Sequence, residues 1–253
     1  MIEVEVEGVV RGLATSGRPE LVLAGRCPQS RRQRWLISLL QSSVSRRLPG
    51  VDVRWAAVDR GFPRVAELMY ATSWPSVVVP LWLSTNAARS HTLEESVQLS
   101  RAPVTLTSAL GPDPLLAEAV SQRLRAGGAH PSNTLVVTAP VRPGSEGHQD
   151  VCRAARLISA RWGGRPVHVA VGADPNRALP PLLASLQRAG TRVSVAPYTL
   201  MPGSWVERCR SLAGACDVDG FGEALVHHPL VTELVARRYE QATSSSSSSS
   251  AAA

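Results

Sequence analysis

The feature that most constrains the fold is a repeat within the chain. Residues of matching type recur at offsets of 114 to 117 positions. The most telling match joins segment 114–120, with the letters PLLAEAV, to segment 229–235, with the letters PLVTELV. Further matched pairs are Leu21 with Leu135, Val51 with Val167, and Pro80 with Pro197. A near-constant offset over four elements predicts a duplicated unit, with the break at the linker-like stretch 127–131.

Each copy alternates short apolar strands with amphipathic helices. The run 76–83, dominated by β-branched residues, is the strongest strand signal, and Leu36, Leu40 and Val44 recur at helical spacing. Four such strand–helix units in one copy imply a parallel sheet covered by helices on both faces. We therefore predict an α/β protein made of two tandem doubly wound parallel-sheet domains related by internal duplication.

The repeat also sets the predicted boundaries. The two domains span 20–128 and 133–242. Residues 1–19 form an N-terminal extension, whose alternation of apolar and polar residues is compatible with an added edge strand. Residues 243–253 are a Ser/Ala stretch that cannot bury a core, so we predict a disordered tail there.

The composition is that of a globular protein and argues against several function classes. Hydrophobic residues make up 44% and charged residues 19% of the chain. The 27 basic residues are all arginine and exceed the 20 acidic ones, giving a net charge of +7. Net charge alone is weak evidence for nucleic-acid binding, and no nucleic-acid, nucleotide or nucleophile motif accompanies it. We expect no nucleic-acid partner and no nucleotide cofactor.

Cysteine usage and hydropathy predict a cytoplasmic location without a membrane partner. The four cysteines include no CxxC pair and are too few for a disulfide framework. The longest apolar run, 77–83, is far shorter than the ~20 residues of a membrane span. Glu3, Glu5 and Glu7 give the N-terminus the wrong charge for a secretory signal. The oligomeric state is not predicted.

Four short motifs identify a family resemblance. They are PLWL at 80–83, LGPDPL at 110–115, PYTLMPG at 197–203 and RRY at 237–239. In order, spacing and repetition they resemble the sirohydrochlorin chelatase (CbiX-like) family over roughly residues 20–242. The resemblance implies a class II chelatase that inserts a divalent metal, Co, Fe or Ni, as substrate into a tetrapyrrole, in cobalamin or siroheme biosynthesis.

The sequence departs from the family at its two metal-site histidines. Arg26 stands where the family's first strand is followed by histidine, and Ala88 stands at the second histidine position. The second copy has no histidine at the matching points, where the stretch 142–145 and Trp205 lie. Since arginine is permanently cationic, Arg26 cannot ligate a metal. A catalytically inactive relative that binds a tetrapyrrole or a protein partner is therefore an open alternative.

His91 and Glu95 are the candidate catalytic and metal-binding residues. His91 lies three residues after the lost histidine position, and the i, i+4 spacing places Glu95 on the same helical face. The two side chains together offer an imidazole and a carboxylate to a metal and a base for pyrrole protons. The alternative interpretation is that both are solvated helix residues.

Arg26, Ser84, Asn86 and Arg89 are the candidate substrate-binding residues. They follow the first and third strands, whose carboxyl ends form the ligand-binding edge of an open α/β sheet. Arginine forks pair with carboxylates in a bidentate manner, which suits a carboxylate-rich tetrapyrrole. By contrast, we expect Arg31, Arg32 and Arg34 to be solvated, and His228 to start a helix before Pro229.

Overall fold

The computed structural model describes residues 17–61 and 63–250. The first copy contains β1 (Glu20–Gly25), α1 (Arg31–Arg47), β2 (Val53–Ala57), α2 (Val65–Ala71), β3 (Ser76–Pro80), α3 (Ala87–Gln98), β4 (Val104–Leu106) and α4 (Pro114–Ala126). The second contains β5 (Thr134–Ala139), α5 (Glu146–Arg161), β6 (Val167–Val171), α6 (Pro175–Arg188), β7 (Val193–Pro197), α7 (Ser204–Ala215), β8 (Gly220–Phe221) and α8 (Pro229–Ser250). The edge strand considered for the N-terminal extension falls in residues 1–16, outside the described residues.

The strands form two four-stranded parallel sheets of the same design. Their orders are β2-β1-β3-β4 and β6-β5-β7-β8. The registers correspond as well, because Leu21 lies opposite Val53 in the first sheet and Leu135 lies opposite Val167 in the second. The structural match of Val167 is therefore Val53, not Val51, which precedes β2. The central strands β1 and β3 are buried along their whole length, as strands covered by helices on both faces must be. The predicted class, α/β with two tandem parallel-sheet domains, is confirmed.

The matched prolines of the repeat begin equivalent helices. Before Pro114, Asp113 Oδ1 accepts the backbone N–H of Leu115 at 2.9 Å. Before Pro229, His228 Nδ1 accepts the backbone N–H of Leu230 at 3.2 Å. Proline at the first helical position has no N–H to satisfy, so the preceding side chain caps the next free donor. His228 therefore has the helix-starting role that the sequence predicts.

The last helix of each copy packs on the sheet of the other copy. Helix α4 contacts α5, β7 and β8, whereas α8 contacts α1 and β3. One hydrophobic cluster accordingly combines both copies and includes the fully buried Leu116, Leu124 and Leu234. The boundaries at 20–128 and 133–242 describe the repeat along the chain and stay a prediction for the domains. In the packed structure, each sheet is covered in part by the last helix of the other copy.

Helix α8 extends further than its serine-rich sequence indicates. It continues to Ser250, so residues 243–250 are helical where a disordered tail is expected. Starting a helix is costly, whereas adding residues to one already held by packing costs little. The hydroxyl of Ser244 also donates to the carbonyl oxygen of Glu240 one turn earlier, at 2.9 Å. Composition alone does not take the preceding helix into account.

We expect Gly127→Ala to weaken the contact between α4 and the second sheet. A β carbon at Gly127 would lie 2.1 Å from the backbone oxygen of Phe221 in β8. Because one backbone must move to relieve this overlap, we expect a loss of about 1–3 kcal/mol in the free energy of unfolding. Urea denaturation measures it. In the control Gly214→Ala, the added β carbon would meet nothing within 4 Å among the described residues outside its own stretch of helix, so this variant should be neutral or slightly stabilising. Equal stability of both variants would contradict the expectation.

Candidate functional site

A cleft of about 820 Å³ opens between the carboxyl ends of the two sheets. Its walls are the segments that follow the central strands β1, β3, β5 and β7. These segments are 25–29, 81–89, 140–142 with 145–147, and 198–206. In an open parallel sheet, ligands bind beyond the carboxyl ends of the strands, where loops diverge. The duplication therefore combines two such edges into one site.

Four helices begin at this cleft. The N-cap residues of α1, α3, α5 and α7 are Ser30, Asn86, Ser145 and Gly203. Each helix N-terminus carries partial positive charge and unpaired N–H groups that favour anions. The first turns of α1 and α3 contain no acidic residue, whereas those of α5 and α7 each contain one glutamate. The first copy is therefore the more favourable side for a carboxylate.

Two of the candidate substrate-binding residues, Arg26 and Arg89, meet in the cleft. The Arg26 side chain is 60% exposed, and its Nε lies 3.9 Å from Asp59 Oδ2. Arg89 is half-buried. Its pKa is lowered by burial and by the charge of Arg26, and Asp59 opposes this. Because a guanidinium stays protonated despite such a shift, the cleft holds two cations within electrostatic reach of each other.

Asp59 is a contributor that the sequence analysis missed. It lies just after β2, and its Oδ1 accepts the backbone N–H of Cys27 at 3.0 Å. The carboxylate thereby fixes the backbone next to Arg26 and faces the Arg26 side chain. Its position after the second strand was the available signal, since that strand also ends at the ligand-binding edge.

The other two substrate-binding candidates, Ser84 and Asn86, also line the cleft. Asn86 Oδ1 accepts the backbone N–H of Arg89 at 3.1 Å, which makes Asn86 the cap of α3. Its carbonyl oxygen is thus committed to setting the start of that helix. Arg31, Arg32 and Arg34 are exposed on α1, as expected.

His91 and Glu95 lie away from these residues. Their side chains form a pair on α3, with 3.2 Å between His91 Nδ1 and Glu95 Oε2, and are 72% and 64% exposed. Neither is among the residues that line the cleft in the described part of the chain. Across residues 17–61 and 63–250, no group of three or more histidine, cysteine, aspartate and glutamate side chains is arranged to hold a metal. The i, i+4 pair forms as predicted, and its catalytic role stays a prediction.

A buried carboxylate from the second copy reaches the first copy at Thr85. Asp150 Oδ2 on α5 accepts the backbone N–H of Thr85 at 2.7 Å and its hydroxyl at 2.6 Å. Burial raises the pKa of Asp150, but the Thr85 hydrogen bonds and the contact with Arg153 together lower the pKa by more, so the net shift is downward. The sequence signal was available, because Asp150 is in helical register with the buried Ala154 and Ile158.

Arg142 and Glu146 also line the second-copy side of the cleft, and much of the remaining lining is aromatic and apolar. Trp55, Trp82, Trp205 and Tyr198 line it. The indole N–H of Trp205 donates to the carbonyl oxygen of Gly172 at 3.2 Å, which fixes the ring. The Tyr198 hydroxyl is buried, and no acceptor or donor pairs with it among the described residues. Burial, and then the charges of two aspartates, raise the pKa of Tyr198, so the phenol is neutral. The cleft combines flat apolar surfaces with a cationic side.

No helix of the described residues has both the length and the apolar character needed to cross a membrane.

A scan against protein-family models and a search of curated proteins find no match. Solved structures do match. SirB from Bacillus subtilis with Fe³⁺ has a TM-score of 0.76 and 16% identity, covering 91% of this chain and 98% of that one.

Two further structures belong to the same group. The sirohydrochlorin chelatase SirB from Bacillus subtilis subspecies spizizenii, in complex with cobalt, has a TM-score of 0.70 and 16% identity, covering 89% of this chain and 95% of that one. CbiX, the terminal enzyme for siroheme biosynthesis in denitrifying bacteria, has a TM-score of 0.61 and 20% identity, covering 89% and 99%. The chain therefore has the two-domain fold of the sirohydrochlorin chelatases.

Proposed function

We propose that the chain binds a carboxylate-rich tetrapyrrole of the sirohydrochlorin class in its cleft and does not insert a metal into it. The observation that carries the proposal is the pair Arg26 and Arg89 at the carboxyl ends of the first sheet, facing a cleft with aromatic walls. Guanidinium forks recognise carboxylates, and the tryptophan side chains of the cleft suit the face of a planar macrocycle. The fold supports the ligand class, since solved structures of sirohydrochlorin chelatases share it.

The same two cations argue against metal insertion. A metal-inserting site needs a neutral imidazole or a carboxylate beside the pyrrole nitrogens, and a base to accept their protons. Arg26 supplies neither, and Ala88 supplies no polar group. The positive charge of Arg89, together with the part of the Arg26 charge that Asp59 does not offset, also repels an incoming divalent cation, more strongly where solvent is excluded. Binding without insertion is the function that these residues favour.

Anaerobic absorbance titration with sirohydrochlorin tests the proposal. We expect the tetrapyrrole spectrum to shift on mixing with the protein. We expect no acceleration over a protein-free control when Co²⁺, Fe²⁺ or Ni²⁺ is then added. A shift followed by accelerated metallation would replace the proposal with an active chelatase. The absence of any shift would overturn tetrapyrrole binding altogether.

Metal insertion by His91 and Glu95 is the second candidate, because the two side chains do pair, at 3.2 Å. Under our proposal His91→Ala leaves sirohydrochlorin affinity unchanged, since the side chain lies outside the cleft. Exposed ion pairs contribute only about 0.2–1 kcal/mol, so stability changes little. The same titration checks the variant. If the unmodified protein accelerates metallation and His91→Ala abolishes it, the second candidate is correct.

A further inference from the structure

We infer that Asp150 is a positioning residue for the carboxylate-binding side of the cleft, acting through Thr85 and the start of α3. The inference rests on the proposed function, because it concerns how that site is built. Asp150 belongs to α5 of the second copy, while Arg26 and Arg89 belong to the first. One copy would then hold the binding residues of the other in place.

Helix α5 holds Thr85 on two sides. Asp150 Oδ2 accepts both the N–H and the hydroxyl of Thr85. One turn earlier on the same helix, Gly147 lies so close that a β carbon there would be 2.6 Å from the Thr85 carbonyl oxygen. The backbone of Thr85 is therefore confined on its donor side by a carboxylate and on its acceptor side by a glycine.

Thr85 in turn determines where α3 begins. The next residue, Asn86, is the N-cap of α3 and accepts the backbone N–H of Arg89. The first turn of α3 carries Ala88 and Arg89 along the cleft. A shift of Thr85 therefore moves the cap, and a shift of the cap moves the base of the Arg89 side chain. Because a bidentate contact depends on the positions of both groups, a displaced Arg89 side chain would bind a carboxylate more weakly.

The burial of Asp150 limits it to this indirect role. Its side chain is 2% exposed, so a ligand in the cleft does not touch it. Arg153 also pairs with Asp150 Oδ1, while the arginine side chain itself is exposed to solvent. Arg153 on the solvent side thus stabilises the charged form of the carboxylate, while the other carboxylate oxygen accepts the hydrogen bonds from Thr85. A buried charge needs such partners, and here one of them is Thr85, in the cleft-lining segment 81–89.

Thr85→Val tests, without a ligand, whether the Asp150–Thr85 hydrogen bonds hold the start of α3 in place. Valine keeps the shape and the backbone N–H of threonine but removes the hydroxyl. We expect amide hydrogen exchange across 84–90 to become at least about threefold faster, in line with the loss of one hydrogen bond to a charged group. Thr85→Ser, which restores the hydroxyl, should exchange close to the unmodified rate. Thr92→Val, an exposed position on α3 whose hydroxyl binds only its own helix, is the matched control. Unchanged exchange in Thr85→Val would overturn the inference.

A double-mutant cycle tests whether the Asp150–Thr85 contact affects ligand binding through Arg89. We expect Arg89→Ala to weaken sirohydrochlorin binding at least about tenfold in the unmodified protein, but less than about threefold in the Thr85→Val background. Additive losses would show that Asp150 and Thr85 have only a structural role and would overturn the inference. Failure of the unmodified protein to bind sirohydrochlorin would overturn the proposed function instead, and the exchange measurement separates the two results.

Discussion

Replacing Arg26 and Arg89 together by alanine is expected to weaken sirohydrochlorin binding by at least about a hundredfold. A hydrogen bond to a charged group contributes about 1.5–3 kcal/mol, and a buried carboxylate left without its partner adds a desolvation cost. We expect Arg89 to contribute more than Arg26, because Arg89 is half-buried while the Arg26 side chain is 60% exposed and screened by solvent. Each single variant should therefore bind more tightly than the double variant.

The affinity is measured by absorbance titration at low and at physiological salt. The matched control is Arg34→Ala, since Arg34 is exposed on α1 and is not one of the described cleft-lining residues. It has the same change of net charge per substitution but should leave the affinity unchanged. The double variant should also lose most of the salt dependence, because screening acts on the charges that it lacks. Equal losses in Arg34→Ala and Arg89→Ala would indicate a general charge effect and contradict a specific site.

The two sheets were predictable because their signals are local. Runs such as Val77–Val79 and the repeated prolines report strand and helix starts without reference to the rest of the chain. The exchange of α4 and α8 was not predictable in the same way. The apolar face of α4 indicates that it packs, but nothing in its sequence says which sheet it packs on. That choice depends on contacts between residues far apart in the chain.

The candidate site shows the same difference between local sequence signals, which were predictable, and orientation set by packing, which was not. Arg26 and Arg89 were predicted to lie together because strand ends define a ligand-binding edge, and both do line the cleft, while their substrate-binding role stays a prediction. The helical spacing of His91 and Glu95 was also correct, but spacing does not orient a helix. The orientation comes from Leu93, which is buried in the core. Residues two positions away on either side lie roughly 200° around the helix, so both His91 and Glu95 face solvent.

Asp150→Ala is expected to cause the largest loss of stability among these variants. Alanine leaves the N–H and the hydroxyl of Thr85 without their acceptor at a partly buried contact between the copies. Unsatisfied buried donors cost about 1–3 kcal/mol each, so we expect the free energy of unfolding to fall by about 2–4 kcal/mol. Asp150→Asn keeps one oxygen for Thr85 and should lose less. Asp174→Ala, which removes an exposed helix cap, is the comparison, and an equal loss there would contradict a special role for Asp150.

The pH dependence of this loss separates the charge of Asp150 from its shape. Burial raises the pKa of Asp150, but its hydrogen bonds lower the pKa more, so the folded value lies below the ordinary 3.8. A carboxylate with a depressed pKa stabilises the fold above the unfolded value and loses that contribution as the pH falls through the folded one. Urea denaturation should therefore give the same difference between the unmodified protein and Asp150→Asn at pH 7 and pH 5, and a smaller one below 3.8. A difference that instead grows between pH 7 and pH 5 would mean that burial outweighs the Thr85 hydrogen bonds and raises the pKa of Asp150, and it would contradict a charged carboxylate held at Thr85.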